Sequence, residues 1–119
     1  MARPKAAKNP ARSRKRLHEI RARIAAMEYV CSGTLHERTK ICGKPSCACA
    51  RQRGARHGPY YQWSRRKAGR QDNAVIPPAA VPHFRGAISN YRELRRLLRA
   101  WEEESAQLIL AGIPVSTED

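Results

Sequence analysis

Between Cys42 and His57 the sequence sets three thiols and an imidazole in the order C-x4-C-x-C-x7-H. Nothing else constrains the fold as tightly, because four soft or borderline ligands this close can close a tetrahedral metal site unaided by the rest of the chain. The expected ligands are Cys42, Cys47, Cys49 and His57, and the expected ion is Zn²⁺, which takes its geometry from its ligands rather than from its d-electrons. Gly43 and Pro45 favour a tight turn between the first two thiols, and Gly54 and Gly58 let the chain turn back to present His57. Arg51, Arg53 and Arg56 would lower nearby thiol pKa values and offset the charge of a thiolate site. The first gap is at the upper end of usual zinc spacings, and the C-x-C pair is tighter than a zinc knuckle normally uses. The competing reading is a reduced Gly/Pro-rich loop whose cysteines are small buried hydrophobes. Disulfides rank below both, since Cys47 and Cys49 are too close to bridge comfortably and no secretion signal is apparent. Cys31 and His36 are the alternative ligands. Cys31 continues an apolar helical stripe and so favours core packing, while a solvated histidine is the default for His36.

Charge is the second constraint. The chain has 119 residues, a formal charge of +14 and a pI near 10.7, a density that points to a polyanionic partner. Positions 1–23 hold nine Lys/Arg against Glu19, and Arg38–Arg70 holds ten with no acid. The C-terminal third carries both signs, and its Glu102–Glu104 run reads as a solvated face. Seven aromatics and a negative mean hydropathy argue against a large ligand cavity. No stretch of 18 apolar residues is present, so no transmembrane span is expected. The basic N-terminus lacks a following apolar segment. It reads as an arm, in a cytoplasmic setting where thiols stay reduced (nucleoid-associated if the partner is DNA).

The expected architecture is α+β. Asn9 and Pro10 form a favoured helix start, and Leu17, Ile20, Ile24 and Met27 give one apolar stripe on a helix ending near Tyr29, with Cys31 next in register. Ser32-Gly33 breaks it. Thr34–Ile41 reads as a strand, as do Tyr60–Ser64 and Asn73–Ile76, with Arg65–Arg70 as a basic turn between the last two. Two or three antiparallel strands follow, ended by Pro77, Pro78 and Pro82. From about Pro82 the periodicity of Phe84, Ile88, Tyr91, Leu94, Leu98, Trp101 and Leu108 predicts a helix longer than the sheet, stopped by Gly112 and Pro114. The excess length would pair with the first helix or a second subunit. These elements place a flexible basic arm over 1–12, a single small zinc-loop domain over 13–112 and a disordered tail over 113–119.

The runs Gly33-Thr34-Leu35-His36-Glu37-Arg38, Cys42-Gly43-Lys44-Pro45-Ser46-Cys47-Ala48-Cys49, His57-Gly58-Pro59-Tyr60-Tyr61 and Asn90-Tyr91-Arg92-Glu93-Leu94 stand in this order along the chain. Together they resemble a family of short, basic bacterial proteins of unknown function over roughly positions 30–110. The motif is G-[ST]-L-x-E-R, then C-G-K-x-x-C-x-C, then H-G-P-Y. The resemblance groups Cys42, Cys47, Cys49 and His57, leaves Cys31 outside, and implies an association with mobile elements. The returning strand Asp72–Ile76 departs from expectation in lacking basic and aromatic residues.

The favoured function is non-enzymatic nucleic-acid binding, with DNA ahead of RNA. Lys44, Arg51, Arg53, Arg56, Arg65, Arg66, Lys67 and Arg70 would contact phosphates, which position a protein without specifying sequence. Tyr60, Tyr61 and Trp63 are candidates to stack on unpaired bases, but alternate aromatics on a strand usually pack beneath a helix: Tyr61 and Trp63 read as core, and Tyr60 stays open between the two. The alternative is an adaptor that binds a protein partner or itself through the long C-terminal helix. Catalysis is disfavoured, because a closed Cys3His site has no open coordination position and Glu37 is the one acid near the basic region. A thiol redox role for Cys47 and Cys49 is weaker still, the usual spacing being C-x-x-C.

Overall fold

The computed structural model describes residues 5–55 and 57–112. Arg56, the start of the basic arm at 1–4 and the expected tail at 113–119 lie outside the described residues. The chain divides into two compact units, one formed by Tyr29–Asn90 and the other by the segments on either side. Helix α1 (Pro10–Ala25), strands β1 (Thr34–Lys40), β2 (His57–Lys67) and β3 (Arg70–Ile76), and helix α2 (Val81–Gly112) follow in order. This is the expected α+β arrangement, with three strands. No helix among the described residues is long and apolar enough to cross a membrane.

In the unit built from the flanking segments, α1 starts as the sequence predicts. The Asn9 side chain accepts a hydrogen bond from the Arg12 N–H at 3.3 Å, and Pro10 occupies the first turn, where a missing N–H costs nothing. The helix thus begins inside the stretch expected to be an arm, and the Ala7 N–H already donates to the Gln107 carbonyl at 3.0 Å. The later turns of α2 run antiparallel to α1. Arg16 pairs with Glu104 at 3.0 Å and Arg23 with Glu93 at 2.8 Å, while Ile20 and Leu97 are buried. Glu104 is only 7% exposed, so it is not part of a solvated run. A carboxylate this buried is held by its partner guanidinium.

Helix α1 ends four residues before the expected stop at Tyr29. The Met27 N–H bonds to Ile24 rather than continuing the α pattern, which tightens the last turn. The segment after it belongs to the other unit and is held by hydrogen bonds to α2. The Cys31 N–H donates to the Ala87 carbonyl at 3.0 Å, and the Asn90 side chain donates to the Tyr29 carbonyl at 2.9 Å. Cys31 is therefore not a continuation of the helical stripe.

In that unit the sheet order is β1-β2-β3, all antiparallel. Strand β2 is much longer than the expected Tyr60–Ser64. The six-residue basic turn expected at Arg65–Arg70 is instead a two-residue connection, with Lys67 paired to Arg70. Ala68 and Gly69 both have positive φ (52° and 78°), as a two-residue hairpin requires. Cross-strand contacts such as Arg65–Asp72, 3.6 Å apart, help extend the ladder through the basic run.

Trp63 anchors the helix-facing side of the sheet. Its indole N–H donates to the Ser32 carbonyl at 2.8 Å, its ring meets Phe84 of α2 at 5.0 Å between centroids, and the Arg65 guanidinium lies over it at 4.4 Å. The turn into β1 depends on Gly33, whose φ is +94° and where a Cβ would clash with the Ser64 carbonyl oxygen. The Gly33→Ala variant should therefore lose about 2 kcal/mol or more of stability from combined backbone strain and backbone clash. A thermal melt indistinguishable from the parent protein would show that this close approach does not exist.

Candidate metal centre

The β1–β2 ladder places the first and last ligands. Lys40 pairs with His57 across a register shift that begins at Arg38, so the end of β1 and the start of β2 lie side by side. Cys42 follows two residues after Lys40, and His57 opens β2. Gly58 makes the close approach possible. Its φ is +121°, and a Cβ there would lie 3.0 Å from the Arg38 carbonyl oxygen. Pro59, which would normally interrupt a central strand, sits at this register shift and before the first β2–β3 pair at Tyr61.

Between these ends the chain forms local turns. The Cys47 N–H donates to the Lys44 carbonyl at 3.1 Å, closing a β-turn with Pro45 in the position its fixed φ suits. Cys47 then caps a single 3-10 turn, Ala48–Ala50, that carries Cys49 inward to 1% exposure. A second such turn, Arg53–Ala55, precedes His57. Gly54 sits within that turn, so the reversal that presents His57 depends on Gly58.

The ligand atoms of Cys42, Cys47, Cys49 and His57 all lie within 4.8 Å of one another. The Cys42 and Cys49 sulfurs are 3.5 Å apart, and the Cys47 sulfur is 3.3 Å from His57 Nε2. A tetrahedron with metal–sulfur bonds of about 2.3 Å has edges of about 3.8 Å, so these separations are close to those of four ligands around one ion. The Cys42 backbone N–H donates to the Cys49 sulfur at 3.4 Å, the kind of outer contact that orients a thiolate ligand. The four residues could hold a metal ion. Neither alternative ligand joins them. Cys31 lines an apolar groove with Tyr29, His83, Phe84 and Ala87, and His36 hydrogen-bonds Thr34 Oγ1 at 3.0 Å.

The two thiols of the C-x-C pair differ electrostatically. A hydrogen bond from the Cys49 backbone N–H, followed by the side chains of Cys49, His57 and Cys42, lowers the Cys47 pKa to about 6. Cys49 is shifted the other way. The Cys42 backbone N–H favours its thiolate, but burial together with the neighbouring Cys47 and Cys42 sulfurs outweighs that contact. Cys47 is thus poised as a thiolate at neutral pH, whereas Cys49 would have to lose its proton for a metal to bind.

Among the described residues, the basic residues expected to meet nucleic acid fall on the loop and on both faces of the sheet. Lys44 and Arg51 are exposed on the metal loop, and Arg53 lies in its second 3-10 turn. Arg66 and the half-buried Tyr60 project from one face of the sheet. Arg65, Lys67 and Arg70 alternate onto the face that carries Trp63.

A family model described as Domain of unknown function (DUF6788) matches residues 11–86. The chain belongs to this family. The DUF6788 match contains all four ligands, all three strands and the first turns of α2. No curated protein and no solved structure matches the chain.

Two measurements test the centre. Titration with Co²⁺ should give one equivalent of a tetrahedral thiolate complex, lost in Cys42→Ser and Cys49→Ser but kept in Cys31→Ser; retention in the first two would refute the ligand set. In the reduced, metal-free protein, alkylation of Cys47 should rise with a midpoint near pH 6, and Cys47→Ser should remove that phase. Because the folded-state pKa of Cys47 is depressed, the stabilisation of its thiolate is fully present above about pH 9 and is lost progressively as pH falls from there through about 6.

Proposed function

We propose that this DUF6788 protein is a non-enzymatic nucleic-acid-binding module whose Cys42, Cys47, Cys49 and His57 hold a structural Zn²⁺. The observation that carries this reading is the position of a Cys3His cluster inside a segment of ten Lys/Arg and no acid, Arg38–Arg70. Three sulfurs and one imidazole in a small volume suit Zn²⁺, and four protein ligands leave no open position for catalysis. Lys44 and Arg51 on the loop, with Arg53 and Arg56 beside them in sequence, supply phosphate contacts. Glu37, the acid nearest the centre in sequence, stands on the same sheet face as Trp63, and a two-metal nuclease site would need more carboxylates.

A second reading, attachment to a protein partner through α2, is favoured by Leu98 and Ile109. They are 49% and 62% exposed and recur three turns apart on one side of the helix. A dimer in solution that binds no nucleic acid at 150 mM salt would favour it.

The deciding measurement is anisotropy titration of duplex DNA, single-stranded DNA and RNA across a salt series, with and without a zinc chelator. Binding should persist near physiological salt, with log affinity falling at a slope near −5 against log salt if about six phosphates are neutralised. Chelation should weaken it by tenfold or more. Binding that ignores the chelator and vanishes at moderate salt would reduce the charge to a generic polycation effect.

A further inference from the structure

We infer that the face of the sheet turned away from Trp63 reads base edges in the major groove of duplex DNA, giving the protein a preferred sequence. This rests on the nucleic-acid reading above and specifies the ligand and the residues that select it.

Sidedness follows from contacts. Trp63 meets Phe84 and lies under Arg65, which fixes those side chains on the helix-facing side. Strand alternation and the observed pairing then place Thr34, His36, Gln62, Arg66, Gln71 and Asn73 on the opposite side. Two side-chain contacts within strands agree with this: Thr34 with His36 at 3.0 Å, and Gln71 with Asn73 at 3.3 Å. Thr34, Arg66, Gln71 and Asn73 are exposed on this face.

Charge is also divided between the two sides. The sheet contains two acids, Glu37 and Asp72, and both stand on the Trp63 side. The opposite side has no carboxylate, but it has Arg38 and Arg66. A surface that displays cations and amides and excludes carboxylates is complementary to a nucleic acid groove, whose walls are phosphates.

The side-chain chemistry specifies the groove further. Gln and Asn amides can make paired hydrogen bonds to adenine N6 and N7, and Arg can make them to guanine O6 and N7, all on the major-groove edge. Val75, 68% exposed on the same side, suits a thymine methyl. At the middle of β2, the small and buried Ser64 leaves a recess of about 290 Å³ bordered by Thr34, His36, Arg66 and Gln71.

Dimensions select duplex DNA. Three strands spaced about 4.8 Å apart span about 10 Å between their outer backbones, within the roughly 12 Å width of the major groove. Side chains two residues apart on one strand are separated by about 6.7 Å, close to two base-pair steps of about 3.4 Å each. The deep, narrow major groove of A-form RNA would not admit such a sheet.

The test starts from the full-length zinc-loaded protein and a random duplex pool carried through repeated binding and amplification at 150 mM salt. An enriched site should bind at least about 100-fold tighter than its scrambled version. The Gln71→Ala/Asn73→Ala variant, changed at two exposed positions and checked for parental circular dichroism, should cut that preference at least about tenfold while leaving scrambled-duplex affinity within about twofold. The Lys44→Ala/Arg51→Ala variant should instead weaken both duplexes equally and reduce the salt slope by about 2. Tight binding with no enriched sequence, a preference unchanged by Gln71→Ala/Asn73→Ala, or a stronger affinity for single strands or RNA would overturn this inference and leave the nucleic-acid function standing. Failure to bind any nucleic acid would overturn both.

Discussion

The structure of the sheet unit depends on three sulfurs and one imidazole meeting where β1 ends and β2 begins. The connection between these adjacent strands is long, and among its described residues Cys49 is the one that is buried. Fixing the backbone costs about 1–2 kcal/mol per residue, and burial of a single thiol side chain offsets only a small part of that for a segment of this length. Local turns at Lys44–Cys47 and Ala48–Ala50 give the loop shape but little stability. A cross-link among the four ligands is the natural compensation, and it lies where the β1–β2 ladder already holds the two ends together. Ladder and cluster are therefore mutually dependent. Lys40↔His57 pairing brings the first and last ligands within reach, and a filled centre would hold the ladder end closed.

The strand period divides the chemistry of the sheet. The alternation that sends Trp63 toward Phe84 also sends Gln62 and Ser64 the other way. Placing Glu37 and Asp72 on the packed side has a structural use, because Asp72 lies across from Arg65 and balances a guanidinium stacked on an indole. The opposite side is then left free of negative charge. A polar, carboxylate-free face is thus partly a consequence of how the packed face satisfies its own charges.

Much of this was legible in the sequence because the strongest signals were local. The Asn9-Pro10 start, the Lys44–Cys47 turn and the grouping of the four ligands rest on residues close in the chain, where side-chain type and φ preference decide. The errors share a different origin. The apolar spacing of Met27 and Cys31 suggests more helix, but two bonds to residues far away in sequence hold that segment out of it, the Cys31 N–H donating to the Ala87 carbonyl and the Asn90 side chain donating to the Tyr29 carbonyl. The basic run Arg65–Arg70 reads as a turn because Ala68-Gly69 is a weaker hairpin signal than Asn-Gly, and because the partners that support the ladder, such as Asp72, are visible only once the strands pair. Glu104 reads as solvated for the same reason: its partner, Arg16, is far away in sequence. The sidedness of the sheet could be read only after the register was known.

On the proposed reading, separating grip from base reading would have a physical rationale. Phosphate contacts tolerate displacement of a few ångströms because Coulomb attraction falls slowly with distance, so Lys44 and Arg51 could serve as such contacts from a loop. Base-edge hydrogen bonds weaken steeply outside about 2.7–3.2 Å and require donors on a stiff frame. Gln62 stands on the central strand, paired on both sides, while Gln71 and Asn73 stand on a strand joined to it by a two-residue turn. The residues that would carry the strictest geometric demands therefore lie on the regular ladder, and those that would carry the loosest lie on the Cys/His loop. The centre would then control how many cations are presented, while the sheet would control which sequence they are presented to.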